Sequence, residues 1–128
     1  MGELTMGVTY YLANFTKKES LLYLRVPAWK DKELAGNPVA SAITSWYLLN
    51  NRGDWISFIA IDDGEWPFPE DSFEVFMNNY RDMTDVVIED LIERGILVDE
   101  GKEYYFDDEP EVYSRKLCNT FPWNLKKD

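Results

Sequence analysis

Apolar and polar residues change their spacing along the chain, and each change predicts an element. Val8 to Phe15 is β-branched and aromatic and ends at the polar stretch Thr16-Lys17-Lys18-Glu19. Leu21 to Val26 is a second apolar run, halted by Pro27. Two such runs around a short polar loop predict a β-hairpin. Ala28 to Gly36 has no clear periodicity and reads as a loop. Val39, Ile43, Trp46 and Tyr47 then fall at i, i+4, i+7 and i+8, one apolar stripe of a first helix. Asn37 is a natural N-cap for it, Pro38 sits at the first helical position where a missing N–H costs nothing, and Gly53 closes the far end.

Trp55 to Ile61 reads as a strand with two largely apolar faces, hence covered on both sides. Asp62 to Pro69 is a loop, because two prolines and a glycine forbid regular pairing. A second helix starts at Asp71, with Glu74 placed to complete a capping box and Phe73, Phe76, Met77 and Tyr80 on one face. A third runs from near Thr84 to Gly95, with Val87/Leu91 and Ile88/Ile92 stacked at i, i+4. Ile96-Leu97-Val98, a turn at Asp99-Glu100-Gly101-Lys102, and Glu103 to Phe106 predict a compact hairpin. Beyond Asp107, residues Val112, Tyr113, Leu117, Phe121, Trp123 and Leu125 predict a tail that packs back on the domain.

These elements describe one α+β domain: a β-hairpin and loop over 1–36, a three-helix unit with a C-terminal hairpin over 37–106, and a tail over 107–128. The stretch from Val39 to Phe106, above all Leu91-Ile92-Glu93-Arg94-Gly95-Ile96-Leu97 before a glycine-tipped hairpin, resembles a winged helix-turn-helix. The resemblance implies a third helix that enters the DNA major groove and a β-wing that touches phosphate. Separately, Tyr10 to Glu19 is similar to the opening of a group of small uncharacterised bacterial proteins, which adds no chemistry.

Charge changes that picture. Asp62 to Glu111 holds 18 acids against 3 basic residues, a local charge of −15, whereas the other 78 residues carry +4. The third helix offers Asp85, Glu89, Asp90 and Glu93 with only Arg94 to offset them, and the expected wing tip offers Asp99 and Glu100. Phosphate neutralisation supplies most of the affinity of a DNA reader. Here the reading surface has the wrong sign, so duplex DNA is not the expected ligand.

Composition excludes further chemistry. Histidine is absent, which removes His-based triads, His general acid–base catalysis and imidazole zinc sites. The single cysteine, Cys118, allows no internal disulfide and suits a reducing cytoplasm. No apolar run is long enough for a membrane span or a signal peptide. A hydrolase would need a carboxylate pair, and none is set apart by an apolar environment. Asp62, Asp63 and Glu65 around Gly64 lack the ligand spacing of a calcium loop, so neither metal nor cofactor is expected.

The acidic face has two remaining readings: solvated surface that keeps the protein soluble, or a docking face for a basic protein. The expected function is the second, a non-catalytic binding module of the inhibitor, immunity or anti-defence type. Its candidate residues are Asp85, Glu89, Asp90, Glu93, Asp99 and Glu100, with Trp66 as an aromatic anchor in the Pro-rich loop; packing of Trp66 against the end of the core is the plainer reading. The rival is a transcription regulator that touches DNA through its basic half (Lys17, Lys18, Arg25, Lys30, Lys32). That basic half could also pair with the acidic half of a second copy in a homodimer.

Overall fold

The computed structural model describes residues 9–28, 30–61 and 65–120, and these form a mixed α+β fold. The opening hairpin is present: β1 (Tyr10–Asn14) pairs antiparallel with β2 (Glu19–Leu22) across a turn in which Lys18 takes a φ of 59°. The second strand is shorter than its apolar run, because Tyr23–Arg25 curls into a turn of 3-10 helix. A short helix, α1 (Asp31–Gly36), occupies part of the expected loop. Only Leu34 of α1 packs on the core, too little to leave a periodic signal.

Helix α2 (Pro38–Leu49) begins as its sequence dictates, with Asn37 Oδ1 accepting from the N–H groups of Val39 (2.8 Å) and Ala40 (3.1 Å). Strand β3 (Ile56–Ala60) then pairs antiparallel with β1. Helix α3 (Phe73–Asn79) is capped by Ser72, whose Oγ accepts from Val75 N–H, and not by Asp71 as expected. Asp71 has a φ of 66° and turns its carboxylate to the Tyr80 hydroxyl and the Lys18 ammonium, two strong donors that outcompete a cap. β4 (Arg81–Asp82) adds a short parallel edge to β2, so the sheet order is β3-β1-β2-β4. Helix α4 (Thr84–Glu93) follows at once and closes in a Schellman motif: Ile96 N–H bonds to Leu91 C=O, Gly95 N–H bonds to Ile92 C=O, and Gly95 supplies the φ of 80°.

The sheet has a core on each face, because alternate β1 side chains point opposite ways. Leu12 faces a core built with Leu21, Tyr23, Ile43 and Tyr47, and with Val87, Ile88 and Leu91 of α4. Ala13 faces an aromatic core of Phe15, Ile59, Phe76 and Tyr80, with Trp66, Phe68 and Phe73 around it. β3 contributes to both, Ile56 to the first and Ile59 to the second, although Phe58 stays 45% exposed. The three helices expected as one unit are therefore divided: α2 and α4 share one core, and α3 lies in the other.

The C-terminal hairpin exists, but its turn is elsewhere. β5 (Leu97–Tyr104) runs straight through the expected Asp99–Lys102 turn and pairs antiparallel with β6 (Tyr113–Asn119). Asp99 pairs with Leu117 and Lys102 with Arg115, so β5 holds one extra residue there, a β-bulge. Gly101 meets its geometry with a φ of 117°, and Asp99 Oδ1 accepts from Gly101 N–H. A bulge and a tight turn ask for the same Asp-x-Gly chemistry, and the partner strand decides between them. Part of the expected tail is thus β6. Phe121, Trp123 and Leu125, like Val8, Trp29 and Asp62-Asp63-Gly64, lie outside the described residues.

Candidate functional site

Asp85 and Glu89 are one turn apart on α4, and β6 brings Arg115 against both. Arg115 Nη1 donates to Asp85 Oδ1 at 2.7 Å, and Nη2 donates to Glu89 Oε2 at 2.8 Å and to Asp99 Oδ2 at 3.4 Å. The arginine side chain is 4% exposed, while its three carboxylates are 39%, 62% and 46% exposed. The Tyr113 hydroxyl donates to the other oxygen of Asp85. Burial alone would raise the pKa of Asp85, but the hydrogen bonds from Tyr113 and Arg115 outweigh it and hold the carboxyl below its ordinary range. Burial likewise opposes the charge on Arg115, and its bonds to Glu89 and Asp85 more than restore it. Arg25 (4.1 Å) and Lys102 (4.3 Å) lie over the Tyr113 ring and complete this seam between α4 and the β5–β6 hairpin.

On its other side α4 borders a groove of about 740 Å³ shared with α2. Trp46, Met83, Val86 and Val87 give it an apolar lining, and Val86 is 57% exposed. Asp85, Glu89, Asp90 and Glu93 line it from α4. Trp46 Nε1 donates to Asp90 Oδ2 at 2.6 Å, and this bond is the main reason the Asp90 carboxyl stays ionised to lower pH than usual. Arg94 sits 4.7 Å over the Trp46 ring and also pairs with Asp90. Glu93 has no such partner among the described residues.

A buried polar network fixes one end of the groove. Asn14, fully buried, donates to Tyr47 Oη (3.0 Å) and Asp54 Oδ2 (2.8 Å) and accepts from Lys17 N–H. Tyr47 Oη donates to Glu19 Oε1 at 2.7 Å, and burial followed by this bond pushes the phenol well above its ordinary range. Lys17 Nζ, the one cation among the lining residues, is held by Asp54 and Asn51. This end is an interlocked set of bonds from β1, β2, α2 and the loop after it.

The structure therefore divides the seven residues singled out from sequence. Asp85, Glu89, Asp90 and Glu93 lie together on the groove wall, with Asp85 and Glu89 shared with Arg115. Asp99 is in the seam, and Glu100 is exposed on the bulge rather than at a wing tip. Trp66 is partly buried in the second core, its ring 5.4 Å from Phe68 and 5.1 Å from Phe73. Sequence reading missed Arg115, Val86 and the pairing of Trp46 with Asp90. Arg115 did leave a signal: it falls between Tyr113 and Leu117 at i, i+2, i+4, in phase with the half-buried residues of its strand. The basic patch is largely spent, Lys17 on Asp54, Lys18 on Asp71 and Arg25 on Asp82. Among the described residues no group of three Asp, Glu or Cys is placed to hold a metal, and none of the helices there is long and apolar enough to cross a membrane. Comparison with known proteins finds no matching family model, no similar curated protein and no similar solved structure.

Proposed function

We propose that the chain is a non-catalytic protein-binding module whose α2–α4 groove docks a basic partner. One observation carries this reading: exposed Val86, with half-buried Met83 beside it, borders the α4 carboxylates in a groove whose single lining cation is already paired. Apolar area at the centre with charge around it is the composition of an interaction site, and the acids would speed encounter with a cationic surface. An inhibitor or immunity protein that captures a basic target would need such a surface. The element order α2, β3, α3, α4, β5–β6 is that of a winged helix, but α3 packs on the other sheet face, so the reading rests on the α2–α4 groove and not on that scaffold. DNA contact through the basic half is weakened as a rival by the pairing of Lys17, Lys18 and Arg25 with acids.

The test uses two tagged baits, wild type and the double variant Val86→Asp/Glu93→Lys, in lysate of the native host. Both positions are exposed, so the fold should survive. Proteins captured by the wild type and lost by the variant should be basic. Equal capture by both baits, or a lost set without basic proteins, contradicts the reading.

A further inference from the structure

We infer that the docked segment is a basic amphipathic helix and not an extended strand, an inference that rests on the docking reading above. The groove walls are two helices, α2 and α4, whose main-chain groups are committed within their own turns. Glu19 is the one lining residue that belongs to a strand, and β2 is already paired at that position, with Asn14 of β1 on one side and Arg81 of β4 on the other. An extended segment laid here would find no ladder partner for its own N–H and C=O groups, whereas a helix arrives with them satisfied.

Charge complementarity names the rest of its chemistry. Asp85 is spent on Arg115 and Tyr113, which leaves Glu89, 62% exposed with one oxygen on Arg115, and Glu93, one turn or roughly 6 Å further along α4, as the carboxylates open to a partner. A partner helix with Lys or Arg repeating every three to four residues matches that spacing. Exposed Val86, with half-buried Met83 three residues before it and Val87 buried beneath, forms the apolar ridge beside these carboxylates, against which Leu or Ile of a partner helix would pack. Arg115 shows the polar half of this recognition already made within the chain, one guanidinium spanning Asp85 and Glu89.

The experiment compares two fluorescent Leu/Lys peptides of identical composition, one patterned with a helical period and one strictly alternating. Binding to the full chain is followed by anisotropy at low salt, and peptide helicity by circular dichroism. The helical pattern should bind roughly tenfold tighter or better, gain helix on binding, and lose roughly tenfold with Val86→Asp. Equal or tighter binding of the alternating peptide overturns the helix while leaving a basic docking face. Equal binding of the helical peptide to wild type and Val86→Asp moves the site out of the groove and overturns the inference. Failure of both peptides to bind overturns the helix and the docking reading together.

Discussion

The two sides of α4 carry the same kind of side chain and meet opposite fates. Toward β5–β6, Asp85 and Glu89 close on a buried arginine of the chain itself, joined by Asp99. Toward α2, Glu93 and the exposed Val86 stay open, and Asp90 is tied to the groove wall through Trp46. A count of acids treats all of them as equally available. What decides availability is which side chains reach them, Arg115 and Tyr113 in the seam and Trp46 and Arg94 at Asp90, so the seam is a structural joint and the groove keeps Glu93 and Val86 open to solvent.

Substitutions on and beneath α4 separate the two sides. The largest effect should come from Ile88→Ala, in the core beneath both sides, which should cost about 3–4 kcal/mol in urea unfolding. Next, Arg115→Ala should cost about 2–3 kcal/mol, less than for a pair buried on both partners because its carboxylates remain partly in water. Arg115→Lys should not restore the loss, since a single ammonium cannot span Asp85, Glu89 and Asp99 as the planar fork does. An Arg115→Ala variant as stable as wild type would mean that the seam is decoration. By contrast Val86→Asp/Glu93→Lys should stay within about 0.5 kcal/mol of wild type, because neither position makes a buried contact that a charge would break. A large loss there would erase the distinction between joint and open surface.

Acid supplies a smaller and more pointed check. Asp85 is held below the ordinary carboxylate range, so its pairing stabilises the fold fully above the unfolded-state pKa of about 4 and is lost as pH falls through the lower folded value. Wild type should therefore melt above Asp85→Asn from neutral pH down to about pH 5, with the gap closing below about pH 4. A gap that is constant across this range would show that the ionised carboxylate is not what holds Arg115.

Much of the fold was legible, for local reasons. The Asn37-Pro38 start of α2 and the Gly95 stop of α4 are set by backbone chemistry that a neighbour cannot change. The bulge at Asp99–Lys102 reads as a turn in the sequence because both need a residue with positive φ, and only β6, ten residues and more downstream, distinguishes them. The split of the helices over two sheet faces was hidden for a similar reason: Leu12 and Ala13 are both apolar, and their sequence does not say which helix each will meet. At the site, the acids of α4 are visible in the sequence, and all four line one groove. Their division between seam and groove is not visible there, because it hangs on one arginine from another strand. For Trp66 the plainer reading is the one the structure shows: its ring packs in the second core, against Phe68 and Phe73.

A cationic partner should meet α4 on its α2 side. The indole N–H of Trp46, bonded to Asp90 on the groove wall, is a built-in reporter of that side. Titrating isotope-labelled protein with the helical Leu/Lys peptide and following amide and indole resonances should move Trp46 Nε1–H together with Met83, Val86 and Glu93, and leave Tyr104 and Lys116 on the hairpin in place. Shifts confined to β5–β6 or to the Lys17–Lys18 turn, with the Trp46 indole unmoved at saturation, would contradict this placement.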